Sequence, residues 1–158
     1  MIGIGKNYLE HAKEMGTESP PEYPLVFFKN PQAVTSNGAP IVIPAICKLN
    51  GPQVDYEGEL AVIIGKPCKD VKEEDALDYV GGYAVANDVS ARWWQKKGSG
   101  GQFCRGKSFD TFCPLSEPVI ASQVADPQNL RIVTKLNGNE MQNESTKAMI
   151  FSVKQIIS

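Results

Sequence analysis

The sequence predicts an α+β fold in which short strands alternate with a few short helices. Residues 60–64, LAVII, are all apolar, as in a buried strand, and a second strand-like segment, YAVAND, runs into Asp88. The dipeptide Asn137-Gly138 separates two further strand-like segments and is a strong short-range signal for a hairpin. The 158 residues, of which 42% are hydrophobic, suffice for one domain with its own core.

Helices are predicted at three places along the chain. The first follows Asn7, which can cap it, and ends at Gly16. The second is KEEDALDYV, whose first turn carries acidic residues, as the helix dipole favours. Near the end of the chain, Ser152 and Gln155 form an S-x-x-Q capping box. The segment RWWQKKGSGGQF is interpreted as a flexible glycine loop.

The capping box lies close to the last residue of the sequence. Only a few residues follow Gln155, and an isolated helix needs about a dozen residues to be even marginally stable. We therefore expect that the natural protein continues beyond Ser158. Residues 1–158 would then form a single domain that is incomplete at its C-terminus.

Composition and charge exclude several classes of function. Sixteen basic and eighteen acidic residues give a net charge of −2 without long runs of one sign, which disfavours nucleic acid as a partner. The four cysteines form no C-x-x-C pair, which indicates a reducing compartment. No apolar run approaches the ~18 residues of a membrane span. We expect a soluble intracellular protein of the cytoplasm or mitochondrial matrix, with no membrane partner.

Three carboxylates stand at a spacing of two in VDYEGELAVIIG, residues 54–65. On one strand Asp55, Glu57 and Glu59 would share a face, where like charges destabilise the strand unless something offsets them. Three explanations remain open at this point: a solvated strand edge, a salt-bridge network, or a bound hard cation.

Two further charged residues bear on that choice. Asp88 adds a carboxylate at the end of a strand. Lys107 follows Gly106 in the motif CRGKSFDTF, and neither of its immediate neighbours is charged. An oxygen-rich site without histidine or thiolate suits Mg²⁺, Mn²⁺ or Ca²⁺ rather than Zn²⁺.

His11 is the only histidine of the chain. It precedes Glu14 by three residues on the first predicted helix, so the two side chains would share a face. A neighbouring carboxylate orients an imidazole and raises its basicity, as in catalytic triads. The alternative is a solvent-facing pair without a catalytic role.

Five motifs carry a resemblance to a known family. NYLEHAKE, VDYEGELAVIIG, YAVANDVSAR, GKSFDTFCPL and LNGNEMQ occur in this order. Together they resemble the fumarylacetoacetate hydrolase family, especially its small members that act on acylpyruvates and oxaloacetate. The resemblance implies a mixed β-sandwich roll with short flanking helices, a catalytic role for the single domain, and a homodimer.

The resemblance also implies a metal site and a group that stabilises an enolate. Glu57 and Glu59 match the E-x-E glutamates, which together with Asp88 would hold Mg²⁺ or Mn²⁺. Lys107 matches the lysine that contacts the developing enolate of the substrate.

The remaining site residues follow from the same resemblance. Arg92 and Gln95 match positions that hold the substrate. His11 and Glu14 match a dyad on a lid segment, which activates water in the hydrolases.

The expected function is a divalent-metal enzyme that acts on short β-diketo or 2-oxo acids. It would hydrolyse a carbon–carbon bond of an acylpyruvate, or tautomerise or decarboxylate oxaloacetate, and the motifs do not separate these reactions. Two alternatives remain: a non-catalytic metal-binding or assembly protein that keeps this fold, and a domain with a merely structural acid cluster.

Overall fold

A computed structural model describes residues 1–9 and 19–158 of the chain. The predicted dyad, His11 and Glu14, lies outside the described residues. The chain forms two compact units, whose segments are as follows. The first unit comprises Met1–Gly3, Phe27–Glu59 and Val85–Glu117, and the second comprises Ile4–Val26, Leu60–Ala84 and Pro118–Ser158.

The described residues form many short strands and several short helices. The strands are β1 (Ile2–Gly5), β2 (Leu25–Phe28), β3 (Val34–Ser36), β4 (Val54–Asp55), β5 (Gly58–Ile64), β6 (Val80–Asn87), β7 (Ser90–Ala91), β8 (Cys113–Leu115), β9 (Val119–Ile120), β10 (Arg131–Leu136) and β11 (Asn139–Ser145). The α-helices are α1 (Arg92–Gln95), α2 (Phe103–Lys107) and α3 (Val153–Ile157). The 3₁₀-helices are Pro31–Ala33, Ala45–Lys48, Glu73–Tyr79, Lys97–Ser99, Ala121–Gln123 and Thr146–Ala148. Among the described residues, no helix has the length and apolar character to cross a membrane.

The strands of the first unit pair in both directions. β3 runs parallel to β8, whereas β6 runs antiparallel to β8 with Ala86 opposite Leu115. β4 and β7 form a separate antiparallel pair in which Asp55 lies opposite Ser90. Mixed pairing combined with short helices confirms the predicted α+β class.

A small hydrophobic core supports the segment that follows β6. Its buried members are Cys47, Val89, Ala91, Trp94 and Phe112. Three of them lie between positions 89 and 94, so the backbone that leads into α1 is anchored on this core. Packing of this kind fixes the positions of the polar side chains that the same segment carries.

Gly106 allows α2 to lie directly against α1. A Cβ atom at this position would stand 2.5 Å from the backbone nitrogen of Gln95 and 2.9 Å from the carbonyl oxygen of Ala91. Such distances are far shorter than ordinary van der Waals contacts. The close approach places the next residue, Lys107, beside the segment that follows β6.

In the second unit, two predictions from local sequence signals are confirmed. β10 and β11 form the hairpin around Asn137 and Gly138, which both have positive φ angles, 51° and 84°. Both residues of a type I′ turn require such angles. The predicted capping box is present at α3: Ser152 Oγ accepts from the Gln155 backbone N–H at 3.2 Å, and Gln155 Oε1 accepts from the Ser152 backbone N–H at 2.8 Å.

The prediction of one strand through residues 54–65 is wrong. The strand ends after Asp55 and a new one begins at Gly58, with Tyr56 and Glu57 between them. Side chains bind the backbone at the break: the N–H of Tyr56 donates to Asp55 Oδ1 at 3.0 Å, and that of Glu57 donates to Asn87 Oδ1 at 3.1 Å. These bonds satisfy donors that a continuous ladder would have used.

Two other element predictions need correction. Residues 73–79 of KEEDALDYV form a 3₁₀-helix rather than an α-helix. The predicted glycine loop RWWQKKGSGGQF contains α1, the 3₁₀-helix Lys97–Ser99 and the first residue of α2. The core residue Trp94 explains this ordering, because its ring packs against the guanidinium of Arg105 with 3.8 Å between the Arg105 Cζ atom and the ring centroid.

Asn7 makes a long-range contact through its side chain. Its side chain pairs with the backbone of Phe151: Oδ1 accepts from the N–H at 2.8 Å, and Nδ2 donates to the carbonyl oxygen at 3.0 Å. The partners are 144 residues apart in the sequence, so local sequence patterns carry no signal of this contact.

The Gly106→Ala substitution is expected to lower the free energy of unfolding by about 1–3 kcal/mol, because the new methyl group collides with the backbone of α1. Urea unfolding measures the change. Ser99→Ala is the matched control in the neighbouring 3₁₀-helix. Ser99 Oγ is buried without a hydrogen-bond partner among residues 1–9 and 19–158, so its removal should change stability by no more than about 0.5 kcal/mol. Equal stability of wild type and Gly106→Ala would contradict the close approach of the helices.

Candidate active site

Lys107 is the centre of a polar cluster inside the first unit. Its side chain is 2% exposed, and Nζ donates to Asp88 Oδ2 at 2.5 Å, Glu57 Oε2 at 2.6 Å and Ser90 Oγ at 2.8 Å. An ammonium group has three N–H donors, so each has an acceptor. The sequence analysis identified Glu57, Asp88 and Lys107 but not Ser90.

Backbone bonds bring the two carboxylates to this lysine. Asp88 follows the last residue of β6, and its N–H donates to the carbonyl oxygen of Glu57 at 2.8 Å. The next residue, Val89, donates its N–H to the carbonyl oxygen of Phe112 at 3.1 Å. The end of β6 therefore lies between the break before β5 and the segment that leads to β8. Lys107, the last residue of α2, faces Asp88 there.

Lys29 is a second buried lysine, which the sequence analysis missed. Its side chain is 4% exposed, and Nζ donates to Asp88 Oδ1 at 2.7 Å, to the carbonyl oxygen of Val89 at 3.4 Å and to that of Lys107. Burial lowers the pKa of Lys29, and the nearby Asp88 carboxylate opposes that shift. The only sequence signal was a lysine directly after the apolar strand LVFF.

Arg92, the first residue of α1, joins the cluster from another direction. Its Nε and Nη2 atoms donate to Asp55 Oδ2 at 3.1 and 2.7 Å, and Nη1 donates to Gln95 Oε1 at 3.1 Å. Nη1 also donates to Glu57 Oε1. The structure thus brings together the predicted substrate-binding pair, Arg92 and Gln95, and connects both to Glu57.

Glu59 is a carboxyl group of the cluster with a strongly raised pKa. Burial, followed by the negative charges of Glu57 and Asp88, raises its pKa to about 8, against a smaller opposing effect of Lys107. Glu59 is therefore within electrostatic reach of the other two predicted ligands and retains its proton at neutral pH. A nearby cation would favour the ionised form.

The structure shows a salt-bridge network for three of the four carboxylates. Asp55 faces Arg92, Glu57 faces Arg92 and Lys107, and Asp88 faces Lys29 and Lys107. Of the three explanations for the acidic spacing, ion pairing accounts for Asp55 and Glu57. Among the residues that the structure describes, it leaves Glu59 as the carboxyl without an ion-pair partner.

The donor set has the chemistry of a hard-cation site. Glu57, Glu59 and Asp88 supply only oxygen, and each carboxylate oxygen that accepts one hydrogen bond keeps a second lone pair. As they stand, however, no three histidine, cysteine, aspartate or glutamate side chains in the described ranges form a group that could hold a metal ion. Metal binding at these residues therefore stays a prediction.

Lys29→Met is expected to lower the free energy of unfolding by about 3–5 kcal/mol, because it leaves a buried Asp88 oxygen and two carbonyl oxygens without their donor. Denaturant unfolding measures this loss. The control is Lys69→Met, which removes an exposed lysine 3.8 Å from Asp70 and should change stability by less than about 1 kcal/mol. Similar losses in both variants would contradict the buried position of Lys29.

Glu59 should make the chelator-treated protein less stable as pH rises. Folding raises the pKa of this carboxyl from 4.5 to about 8, so the folded chain holds a proton that the unfolded chain releases. This contribution is complete below about pH 4.5 and is lost as the pH rises through 8. Unfolding free energies measured from pH 5 to 9 should fall more steeply, by roughly 1 kcal/mol per pH unit, in wild type than in Glu59→Gln. Parallel curves would rule out the shifted carboxyl.

Comparisons with known proteins found a matching family model and curated proteins of similar sequence. The family model "Fumarylacetoacetate (FAA) hydrolase C-terminal" matches residues 1–158. The mitochondrial oxaloacetate tautomerase fahd2 of Xenopus laevis is 44% identical over 159 residues, covering 100% of this chain and 48% of the relative. The oxaloacetate tautomerase YisK of Bacillus subtilis is 44% identical over 160 residues, covering 99% of this chain and 51% of the relative. The chain thus spans about half the length of these curated relatives.

Solved structures show the same fold. The crystal structure of 5-carboxymethyl-2-hydroxymuconate delta-isomerase from Mycobacterium smegmatis superimposes with a TM-score of 0.84 at 39% identity, covering 99% of this chain and 59% of that one. This likeness confirms the fold that the sequence motifs implied. The chain belongs to the fumarylacetoacetate hydrolase family.

Proposed function

We propose that the protein is a divalent-metal-dependent enzyme that converts short 2-oxo acids through an enolate, with oxaloacetate tautomerisation as its first candidate reaction. The observation that carries the proposal is the buried Lys107 ammonium held between Glu57 and Asp88, with Arg92 on the other side of Glu57. The names of two relatives, both oxaloacetate tautomerases, support the choice of substrate.

The reaction requires stabilisation of negative charge on an oxygen atom. Conversion of an enol to a ketone removes the proton of the hydroxyl oxygen and adds one to the far carbon of the C=C double bond, and negative charge develops on that oxygen in between. A fixed ammonium group in a water-poor site stabilises such charge more effectively than water does. Lys107 is such a group, because its Nζ position is set by three acceptors.

The substrate carboxylate needs a separate binding group. A guanidinium presents N–H donors in a planar fork that matches a carboxylate. The Arg92 side chain as a whole is 26% exposed, and its Nη1 donates to Gln95 Oε1, a neutral amide. In this proposal Arg92 binds the carboxylate of the 2-oxo acid and Gln95 holds Arg92 in place.

Glu57, Glu59 and Asp88 would hold the cation, with Mg²⁺ or Mn²⁺ preferred and Ca²⁺ possible on donor chemistry. The bound ion would supply Lewis-acid stabilisation of the enolate. Its positive charge would also favour the ionised form of Glu59, whose pKa is otherwise raised to about 8.

Acylpyruvate hydrolysis is the second candidate reaction. It requires a base that activates water, and the sequence offers His11 three residues before Glu14. Tautomerisation and decarboxylation do not need the attack of water.

A homodimer belongs to the same proposal, and light scattering would test it. The third candidate, a non-catalytic metal-binding or assembly protein, predicts no turnover of any of these acids.

Glu57→Gln should weaken Mg²⁺ binding at least about tenfold and lower turnover at least about 100-fold, since a neutral amide replaces a carboxylate shared by two cations. Calorimetric titration with Mg²⁺ and loss of the enol absorbance of oxaloacetate provide the two readouts. The control is Glu74→Gln, which changes an exposed glutamate near Lys72 and should leave both unaltered. Wild-type behaviour of Glu57→Gln would refute the site.

A paired assay with Mg²⁺, before and after chelation, separates the candidate reactions. Fast enol loss with little pyruvate release would support the tautomerase, whereas metal-dependent pyruvate release from acetylpyruvate would support the hydrolase. Activity that survives complete chelation would contradict the metal requirement. Absence of every reaction in a folded, full-length protein would favour the non-catalytic alternative.

A further inference from the structure

We infer that Asp55 is a positioning residue that holds the Arg92 guanidinium in the orientation needed to bind the substrate carboxylate. This inference rests on the proposed function for the role of Arg92, and it adds a residue for which the family resemblance gave no role. The sequence analysis considered Asp55 only as one of three carboxylates on a strand. In the structure its partner is Arg92.

The backbone places the two side chains next to each other. Asp55 lies opposite Ser90 in the pairing of β4 with β7. Two residue pairs further along, the backbone N–H of Arg92 donates to the carbonyl oxygen of Gln53 at 2.8 Å, and that of Trp93 donates to Gln53 Oε1 at 2.9 Å. The two segments are therefore held together both by the pairing of Asp55 with Ser90 and by the bonds to Gln53.

The contacts of Asp55 define the plane of the guanidinium. Nε and Nη2 of Arg92 both donate to Asp55 Oδ2, at 3.1 and 2.7 Å, and the other oxygen, Oδ1, accepts from the backbone N–H of Tyr56 at 3.0 Å. The carboxylate is thus itself held by the backbone. Because the guanidinium is planar and rigid, fixing Nε and one Nη2 proton fixes the direction of every other N–H.

Within the described part of the chain, the hydrogen bonds of Arg92 leave one N–H of the guanidinium without an acceptor. Of its five N–H groups, two bind Asp55 and the two on Nη1 bind Gln95 and Glu57. The second N–H of Nη2 has no acceptor among residues 1–9 and 19–158, and the side chain is 26% exposed. This second N–H is on the same nitrogen, Nη2, as the N–H that donates to Asp55. The contact with Asp55 therefore determines the direction of the second N–H.

Loss of Asp55 should affect substrate binding more than the chemical step. Without it, Arg92 would be held only through Nη1, by Glu57 and Gln95, and its plane could rotate about that edge. Lys107 binds Glu57, Asp88 and Ser90 rather than Asp55, so its ammonium should stay in place. The expected signature is a raised KM with a nearly unchanged kcat.

The first arm of the test measures the orientation of Arg92 without any activity. In the ¹⁵N-labelled full-length protein, hydrogen exchange of the Arg92 Nε–Hε group is followed by NMR. Asp55→Asn should speed this exchange by about tenfold, since the charged acceptor is lost while the side-chain size is kept. Asp70→Asn is the matched control, because Asp70 is exposed and its φ of 51° suits asparagine. Asp55→Glu should restore slow exchange at least partly.

The second arm measures turnover of oxaloacetate with Mg²⁺. Asp55→Asn should raise KM about tenfold and change kcat by less than about threefold. In an Arg92→Ala background, adding Asp55→Asn should change KM by less than about twofold, because a residue that acts through Arg92 has no effect once Arg92 is gone.

The outcomes separate this inference from the function on which it rests. Unchanged Hε exchange in Asp55→Asn would overturn the positioning role. The role would also be overturned if the rise in KM of the double variant equalled the product of the rises in the two single variants, Asp55→Asn and Arg92→Ala. A wild type that turns over neither oxaloacetate nor acetylpyruvate would overturn the proposed function. In that case the Hε exchange still decides whether Asp55 fixes Arg92, and calorimetry with oxalate decides whether the pair binds a carboxylate.

Discussion

The burial of the Lys107 ammonium is the constraint on which the first unit depends. A charged amine this far from water is tolerated only when every donor has an acceptor, and here the acceptors come from three places in the chain: Glu57, Asp88 and Ser90. The missing Cβ at Gly106 lets the lysine reach them. The break between β4 and β5 serves the same purpose, because a continuous strand would hold Glu57 in a different position.

The charges around this lysine balance in pairs. Asp55, Glu57 and Asp88 are matched by the cations Lys29, Arg92 and Lys107. Asp55 is 44% exposed, but the ion pairs of Lys29 and Lys107 are buried, and buried ion pairs contribute little net stability compared with apolar packing, although breaking them is costly. The presence of this network in a unit with a small hydrophobic core is therefore better explained by chemistry than by stability. Within residues 1–9 and 19–158 Glu59 has no ion pair, and burial together with the charges of Glu57 and Asp88 raises its pKa.

The parts of the structure that sequence reasoning predicted depend on groups close together in the chain. The hairpin at Asn137-Gly138 and the capping box at Ser152 need only a few neighbouring residues. Glu57, Asp88 and Lys107 were expected together from motif resemblance and lie together in the structure, whereas their chemical role stays a proposal. Lys29 was missed because its partner Asp88 is 59 residues away, and the Asp55 contact with Arg92 spans 37 residues. Nothing in a local pattern shows which long-range partner satisfies a charge, nor that side chains interrupt the strand at Glu57.

Glu57 uses both of its oxygens, one for Arg92 and one for Lys107. Two cations on different helices are thereby joined through a single carboxylate. Arg92 also faces Asp55, and Lys107 also faces Asp88, so each cation keeps a second partner if Glu57 is lost. Glu57 is nevertheless the one side chain that both cations share. A shift of either helix is therefore transmitted to the other through this carboxylate.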